Sequence, residues 1–312
     1  MRKLLYHFIC FALTACLLLT GCTSSSRSSV SSTSDKKQGP LRDNTPNVLV
    51  PCADGTTIYN CEAASIDASN IAQGYVMASY HGENEKVKLQ ITTPEGVKYT
   101  YLLSGKGRLE TFPLTGGSGN YQLTVFENVV DDQYAAILSQ TLTVQIADEF
   151  KPFLYPNQYV NFTGDNQAVA KGCTLAKDAH SDLDVVTNIY NYVIQHISYD
   201  TQLAKNVSYG YLPDIDHTLA SKRGICFDYA ALMTAMLRSQ KIPTKLEVGY
   251  SGDAYHAWIS TYIDDIGWVD NVIEFDGETW SLMDPTLAAN SSTSQVKKYV
   301  GSGDHYLVKY TY

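Results

Sequence analysis

Apolar and polar positions alternate in steps of two through residues 48–146. Val87, Leu89 and Ile91 interleave with Lys86, Lys88 and Gln90; Tyr121, Leu123 and Val125 follow the turn Gly116-Gly117-Ser118-Gly119-Asn120; Leu142, Val144 and Ile146 repeat the pattern. A period of two puts every second side chain on one face, which is how a half-buried strand reads. Thr93-Pro94-Glu95-Gly96 and Gly105-Lys106-Gly107 supply turns between the strands. The spacing predicts a small antiparallel β-sandwich over 46–150.

Residues 151–163, where Pro152 and Pro156 stand among aromatics, read as an ordered connector. Beyond it the period changes. Ser181-Asp182-Leu183-Asp184 is a capping-box start, and Leu183, Val186, Ile189, Val193 and Ile197 recur at spacings of three and four, predicting an amphipathic helix of about four turns. The polar run from Asp200 to Asp216 reads as a loop. A second helix opens at Cys226 and is apolar on most faces through Leu232, Met236 and Leu237, so it is central; Ile242-Pro243 stops it. Segments 244–250, 256–262, 268–275, 280–283 and 306–312 are rich in β-branched and aromatic residues and read as strands. A helix pair followed by an antiparallel sheet makes 164–312 an α+β domain.

The first residues follow neither period. Arg2 and Lys3 precede an apolar run to Leu19, a secretory signal layout, and the run is shorter than the roughly 20 residues a membrane-spanning helix needs. Leu19-Thr20-Gly21-Cys22 resembles a bacterial lipobox. That resemblance implies removal of the leader, lipidation of Cys22 as the first mature residue, and anchoring outside the cytoplasmic membrane by two or more acyl chains. Residues 23–45, serine-rich and nearly without large apolar side chains, read as a flexible tether.

Composition narrows the class of partner. A chain of 312 residues with 44% hydrophobic and 18% charged residues supports about two ordinary globular domains. Its formal charge of −9 argues against nucleic acid. Of seven cysteines, Cys10 and Cys16 leave with the signal and Cys22 is assigned to lipid. Cys52 and Cys61 flank an Asp54-Gly55 turn and could close a small disulfide loop in an exporting compartment, or remain free. Cys173 reads as structural. No Cys or His pair stands at metal-ligand spacing, so neither metal nor cofactor is expected. His81, the only histidine of residues 46–150, reads as a surface histidine.

Chemistry concentrates at Cys226. A thiol at a helix N-terminus meets unpaired N–H groups and the positive end of the macrodipole, which favours its thiolate and makes it a candidate nucleophile. Such a nucleophile needs a base, and the base an orienting acceptor. His256 and Asp284 follow at intervals of 30 and 28 residues. Each has a plain structural reading: a buried thiol, a core histidine, a turn aspartate before proline. Asp228 reads as a charge favoured by the helix start, Trp258 and Trp280 as core or cleft wall, and Asp270 and Asn271 as rival orienters of His256.

Gly224-Ile225-Cys226, Met236-Leu237-Arg238 with Ile242-Pro243, Val248-Gly249-Tyr250, His256-Ala257-Trp258, and Trp280 with Asp284-Pro285-Thr286 together resemble the transglutaminase-like, papain-related superfamily in its bacterial secreted form. The resemblance covers 183–288 and implies Cys226 as nucleophile, His256 as general base and acid, and Asp284 as the residue that holds the imidazole. It implies a protein or peptide amide as substrate, in a cell wall or at a surface, and a thioester intermediate resolved by water or an amine. The backbone N–H of Cys226 would be one oxyanion donor, with Tyr211 a weaker side-chain candidate beside Tyr209 and His217. The first half looks like the immunoglobulin-like β-sandwich that such secreted proteins carry as an accessory domain. Two functions follow: a surface-anchored cysteine enzyme, or a non-catalytic adhesion or cell-wall-binding lipoprotein retaining the fold. A transport-linked binding protein fits less well, since two α/β lobes are not visible.

Overall fold

The alternating stretches fold as two four-stranded antiparallel sheets. The computed structural model describes residues 39–105, 107–264, 266–270, 273–275, 280–282 and 306–312, the side chains of 251, 273–275 and 280–282 excepted. Its first half contains β1 (Ile58–Asn60), β2 (Ala64–Asp67), β3 (Tyr75–Tyr80), β4 (Val87–Thr92), β5 (Lys98–Leu102), β6 (Glu110–Pro113), β7 (Gly119–Val130) and β8 (Gln133–Val144). One sheet is ordered β1-β2-β3-β6 and the other β5-β4-β7-β8. The apolar positions pair across the ladder as their period demands: Leu89 faces Val125 and Ile91 faces Leu123, all four fully buried. Burying each such side chain stabilises by about 2 kcal/mol. Cys52 and Cys61 are both free thiols.

The second half contains α1 (Gln167–Ala176), α2 (Asp182–His196), β9 (Ser198–Tyr199), α3 (Thr201–Asn206), α4 (Ile215–Ser221), β10 (Arg223–Gly224), α5 (Cys226–Ser239), β11 (Thr244–Ser251), β12 (Ala254–Ile263), β13 (Gly267–Val269), β14 (Ile273–Phe275), β15 (Trp280–Leu282) and β16 (Tyr306–Thr311). The sheet order is β13-β12-β11-β16, with β14 and β15 as a separate pair. The capping box of α2 is formed: Ser181 Oγ accepts from the Asp184 N–H and Asp184 Oδ2 accepts from the Ser181 N–H. Helix α5 is buried on every face from Asp228 to Ser239, as expected of a central helix. Among the described residues no helix is long and apolar enough to cross a membrane.

Three expectations change. The stretch 200–216 is not all loop, because Asp200 caps α3 by accepting from the Gln202 and Leu203 N–H groups and Asp214 caps α4 through the His217 N–H. The strand read over 268–275 divides into β13 and β14. Arg42 and Asp43, read as tether, are held to the second half: Arg42 pairs with Asp182, Lys241 with Asp43, and the Asn47 N–H donates to the Ser239 carbonyl.

One core runs through both halves. Tyr159 of the connector packs edge-on against Tyr312 at 4.5 Å, and Tyr101 of β5 stands 6.0 Å from the same ring. Arg238, 1% exposed, fastens the lower end of α5 by donating to the carbonyls of Tyr155, Thr244 and Tyr312 at 2.6–2.9 Å.

Candidate functional site

The start of α5 is held by its own third residue. Asp228 Oδ2 accepts from the Ile225 N–H at 2.8 Å, and Oδ1 accepts from the Tyr211 hydroxyl at 2.7 Å. A carboxylate at this place meets the positive end of the helix, yet Asp228 is 1% exposed and burial pushes its carboxyl up. Gly224 makes the arrangement possible, since a Cβ there would lie 2.7 Å from Asp228 Cβ. Tyr211, read from the sequence as a candidate oxyanion donor, thus directs its hydroxyl proton to Asp228, and burial raises the hydroxyl further.

Cys226 is the first residue of α5 and is half-buried. The backbone N–H groups of Ala257, Phe227 and Cys226 itself act on the sulfur in the direction that lowers its pKa. These donors favour a thiolate, as does the helix start, but burial outweighs them and pushes the thiol up. The direction is thus opposite to the expected enrichment of thiolate at neutral pH: the helix start favours the charge, and burial of the sulfur outweighs it.

His256 lies on β12, 7% exposed, and burial lowers its imidazole to about 4. Cross-strand pairing sets its direction: His256 opposite Gly249 and Trp258 opposite Glu247 share one face, while Ala257 and Val248 share the other. The His256 and Trp258 rings stack at 6.5 Å. On that face Glu247, also buried, accepts from Trp258 Nε1 at 2.9 Å and from the Ser260 hydroxyl at 2.7 Å. From β12, Ala257, one residue past the histidine, lines the same pocket as Cys226. Asp284 and Asn271 lie outside the described residues; Asp270 is exposed.

Cys226 and His256 nevertheless border one pocket of about 610 Å³. Six tyrosines surround it: Tyr159, Tyr199, Tyr209, Tyr211, Tyr255 and Tyr312. Leu102, Gln158 and Tyr159, from β5 and the connector, belong to this wall and went unread in the sequence. The aromatic density of 150–162 was the available signal. Among the described residues no cluster of His, Cys, Asp and Glu could hold a metal ion. The arrangement combines a thiol, a neutral imidazole and converging backbone N–H groups, the components of acyl transfer through sulfur.

Residues 167–271 match the family model of the transglutaminase-like superfamily, a span that takes in Cys226 and His256 and ends before Asp284. Among solved structures the chain is similar to a candidate cysteine protease from Cytophaga hutchinsonii, at 15% identity over 69% of this chain and 67% of that one with a TM-score of 0.33. A candidate protease from Parabacteroides distasonis follows at 11% identity, 64% and 62% coverage and a TM-score of 0.27. The periplasmic domain of TgpA from Pseudomonas aeruginosa bound to ethylmercury is similar at 12% identity, 73% and 96% coverage and a TM-score of 0.31. No curated protein matches the chain.

Proposed function

From the premise that the chain carries a transglutaminase-like domain, we propose that it is a lipid-anchored, extracytoplasmic cysteine enzyme acting on protein or peptide amides. The observation that carries this reading is the meeting of Cys226, at the first turn of a buried helix, with His256 at one pocket. Cys226 is the nucleophile, His256 the base and acid, and Asp284 the residue that orients the imidazole. The Sγ proton passes to the imidazole as the C–S bond forms, and backbone N–H groups at the start of α5 face the developing oxyanion. The C–N bond then breaks, the departing amine takes the proton from the imidazolium, and a thioester remains. Water resolves it to an acid, or a second amine to a new amide, and Cys226 regains its proton. The anchor is Cys22 at the end of the leader, and the two sheets of the first half are an immunoglobulin-like sandwich.

A second reading is favoured by one observation. Burial pushes Cys226 up and His256 down, so both rest uncharged, a state equally suited to a non-catalytic binding protein that retains the fold. Incubation of the mature chain with an amine donor and candidate surface proteins separates the two. Cleavage or amine incorporation that disappears in Cys226→Ala supports the enzyme; binding without either product, unchanged in that variant, supports the adhesin.

A further inference from the structure

The pocket wall states what reaches the nucleophile, a step that rests on the reading of Cys226 given above. Among the described residues no Asp, Glu, Lys or Arg borders this pocket. The protein as a whole carries −9, and two other cavities are charged: one of about 580 Å³ meets Glu95, Glu149, Lys245 and Lys309, another of about 530 Å³ meets Asp200, Asp214, Asp228 and Arg223. A charged substrate group packed against these described residues would lose hydration and find no counter-charge among them, whereas an apolar group would gain by leaving water. Tyr159 and Tyr199 stay neutral, since burial pushes both up to about 12. Four of the lining residues also stand in solvent: Tyr209 is 79% exposed, Tyr255 59%, Val207 43% and Leu212 38%. An apolar rim continuous with an apolar pocket is the surface expected where a partner chain lands.

The origin of the wall is a second, independent observation. Thr100 and Leu102 come from β5, Gln158 and Tyr159 from the connector. The loop before α4 seats on them: Gly210 has φ +80°, and a Cβ there would lie 2.5 Å from Leu102 Cδ1. Gln158 Nε2 donates to the Leu102 carbonyl at 2.6 Å and to Glu110 Oε1 at 3.1 Å, fixing the connector to the strand. Tyr159 meets Phe227, the residue after Cys226, edge-on at 5.5 Å. The β region is therefore in place against the nucleophile helix.

We infer that the N-terminal β region is the selectivity wall of this pocket, and that the acyl donor is a polypeptide presenting an uncharged, bulky apolar or aromatic side chain beside the scissile amide. The test uses the mature full chain and peptidyl vinyl sulfones identical except for the side chain next to the electrophile: Phe, Leu, Glu or Lys. Modification of Cys226 is followed by mass spectrometry as a second-order rate. The Phe and Leu probes react at least about tenfold faster than the charged ones, the ratio that ~1.4 kcal/mol of desolvation gives. Leu102→Lys raises the Glu-to-Phe rate ratio by about the same factor, and Thr100→Lys, at an exposed strand position, does so in a variant whose folding is not at risk. Equal rates for all probes, or a ratio unmoved by both lysines, overturn the inference and leave the nucleophile standing. If no probe modifies Cys226 and Cys226→Ala retains amide turnover, both fail.

Discussion

Cys226 and His256 rest as a neutral pair, and the cause is desolvation at each end. Alkylation of native Cys226 by iodoacetamide is accordingly slower at pH 7 than in the unfolded chain and climbs with pH beyond the range of an ordinary cysteine. A native rate at or above the unfolded rate at pH 7 contradicts the burial argument. For His256 the folded imidazole, near 4, binds its proton later than the unfolded one, near 6.5. The unfolded state therefore holds more protons between those values, and stability falls as pH drops through that window, by about 3 kcal/mol in total from this group. Glu247 and Asp228, whose carboxyls burial raises, act in the opposite sense, so the measurement is a difference. Urea midpoints of wild type and His256→Gln between pH 4 and 7 diverge in slope, the variant losing less on acidification. That both residues border one pocket was legible in the sequence from their local strings, Gly-Ile-Cys and His-Ala-Trp. Their protonation was not, because the atoms that exclude water come from β12 and the connector, far along the chain.

At the scale of single elements, the first turn of α5 is a unit built from Gly224, Ile225, Asp228 and Tyr211. Asp228→Ala leaves the buried Ile225 N–H without its acceptor and frees the Tyr211 loop that lines the pocket. The expected cost is about 2 kcal/mol in urea unfolding, with slower labelling of Cys226 by the peptidyl probes; an unchanged midpoint contradicts the cap. The last turn of the same helix depends on Arg238. Its fork serves three carbonyls from separate segments, and Arg238→Met strands all three in the interior, at about 3 kcal/mol by the same measurement. Element existence tracked the strength of the periodic signal. Helix α5 and strands β11 and β12 were legible because large apolar residues mark them. Helix α1 was hidden because its buried positions are Ala168, Val169, Gly172 and Ala176, small side chains that carry little pattern. Helices α3 and α4 are under two turns long and depend on single aspartate caps, so no window of sequence reveals a period.

Across the whole molecule, the change of period near residue 150 announces two domains, and the architecture joins them. Tyr99, Tyr101 and Tyr159 pack on Tyr312, the last residue, and Thr115 Oγ1 donates to the Thr311 carbonyl while the Thr311 N–H donates to the Tyr99 hydroxyl. In sequence these tyrosines look like the private core of their own sheet, because alternation tells which face a residue is on and not what covers that face. A core shared in this way couples unfolding of the two halves. Residues 39–312 therefore melt in one calorimetric transition whose van't Hoff and calorimetric enthalpies agree. Tyr101→Ala, which removes a fully buried ring at the junction, costs about 4 kcal/mol and shifts that single transition to lower temperature as one peak. Two peaks in the wild type, or a variant in which only one of two peaks moves, would mean that the halves are independent bodies and that the selectivity wall is free to leave the pocket.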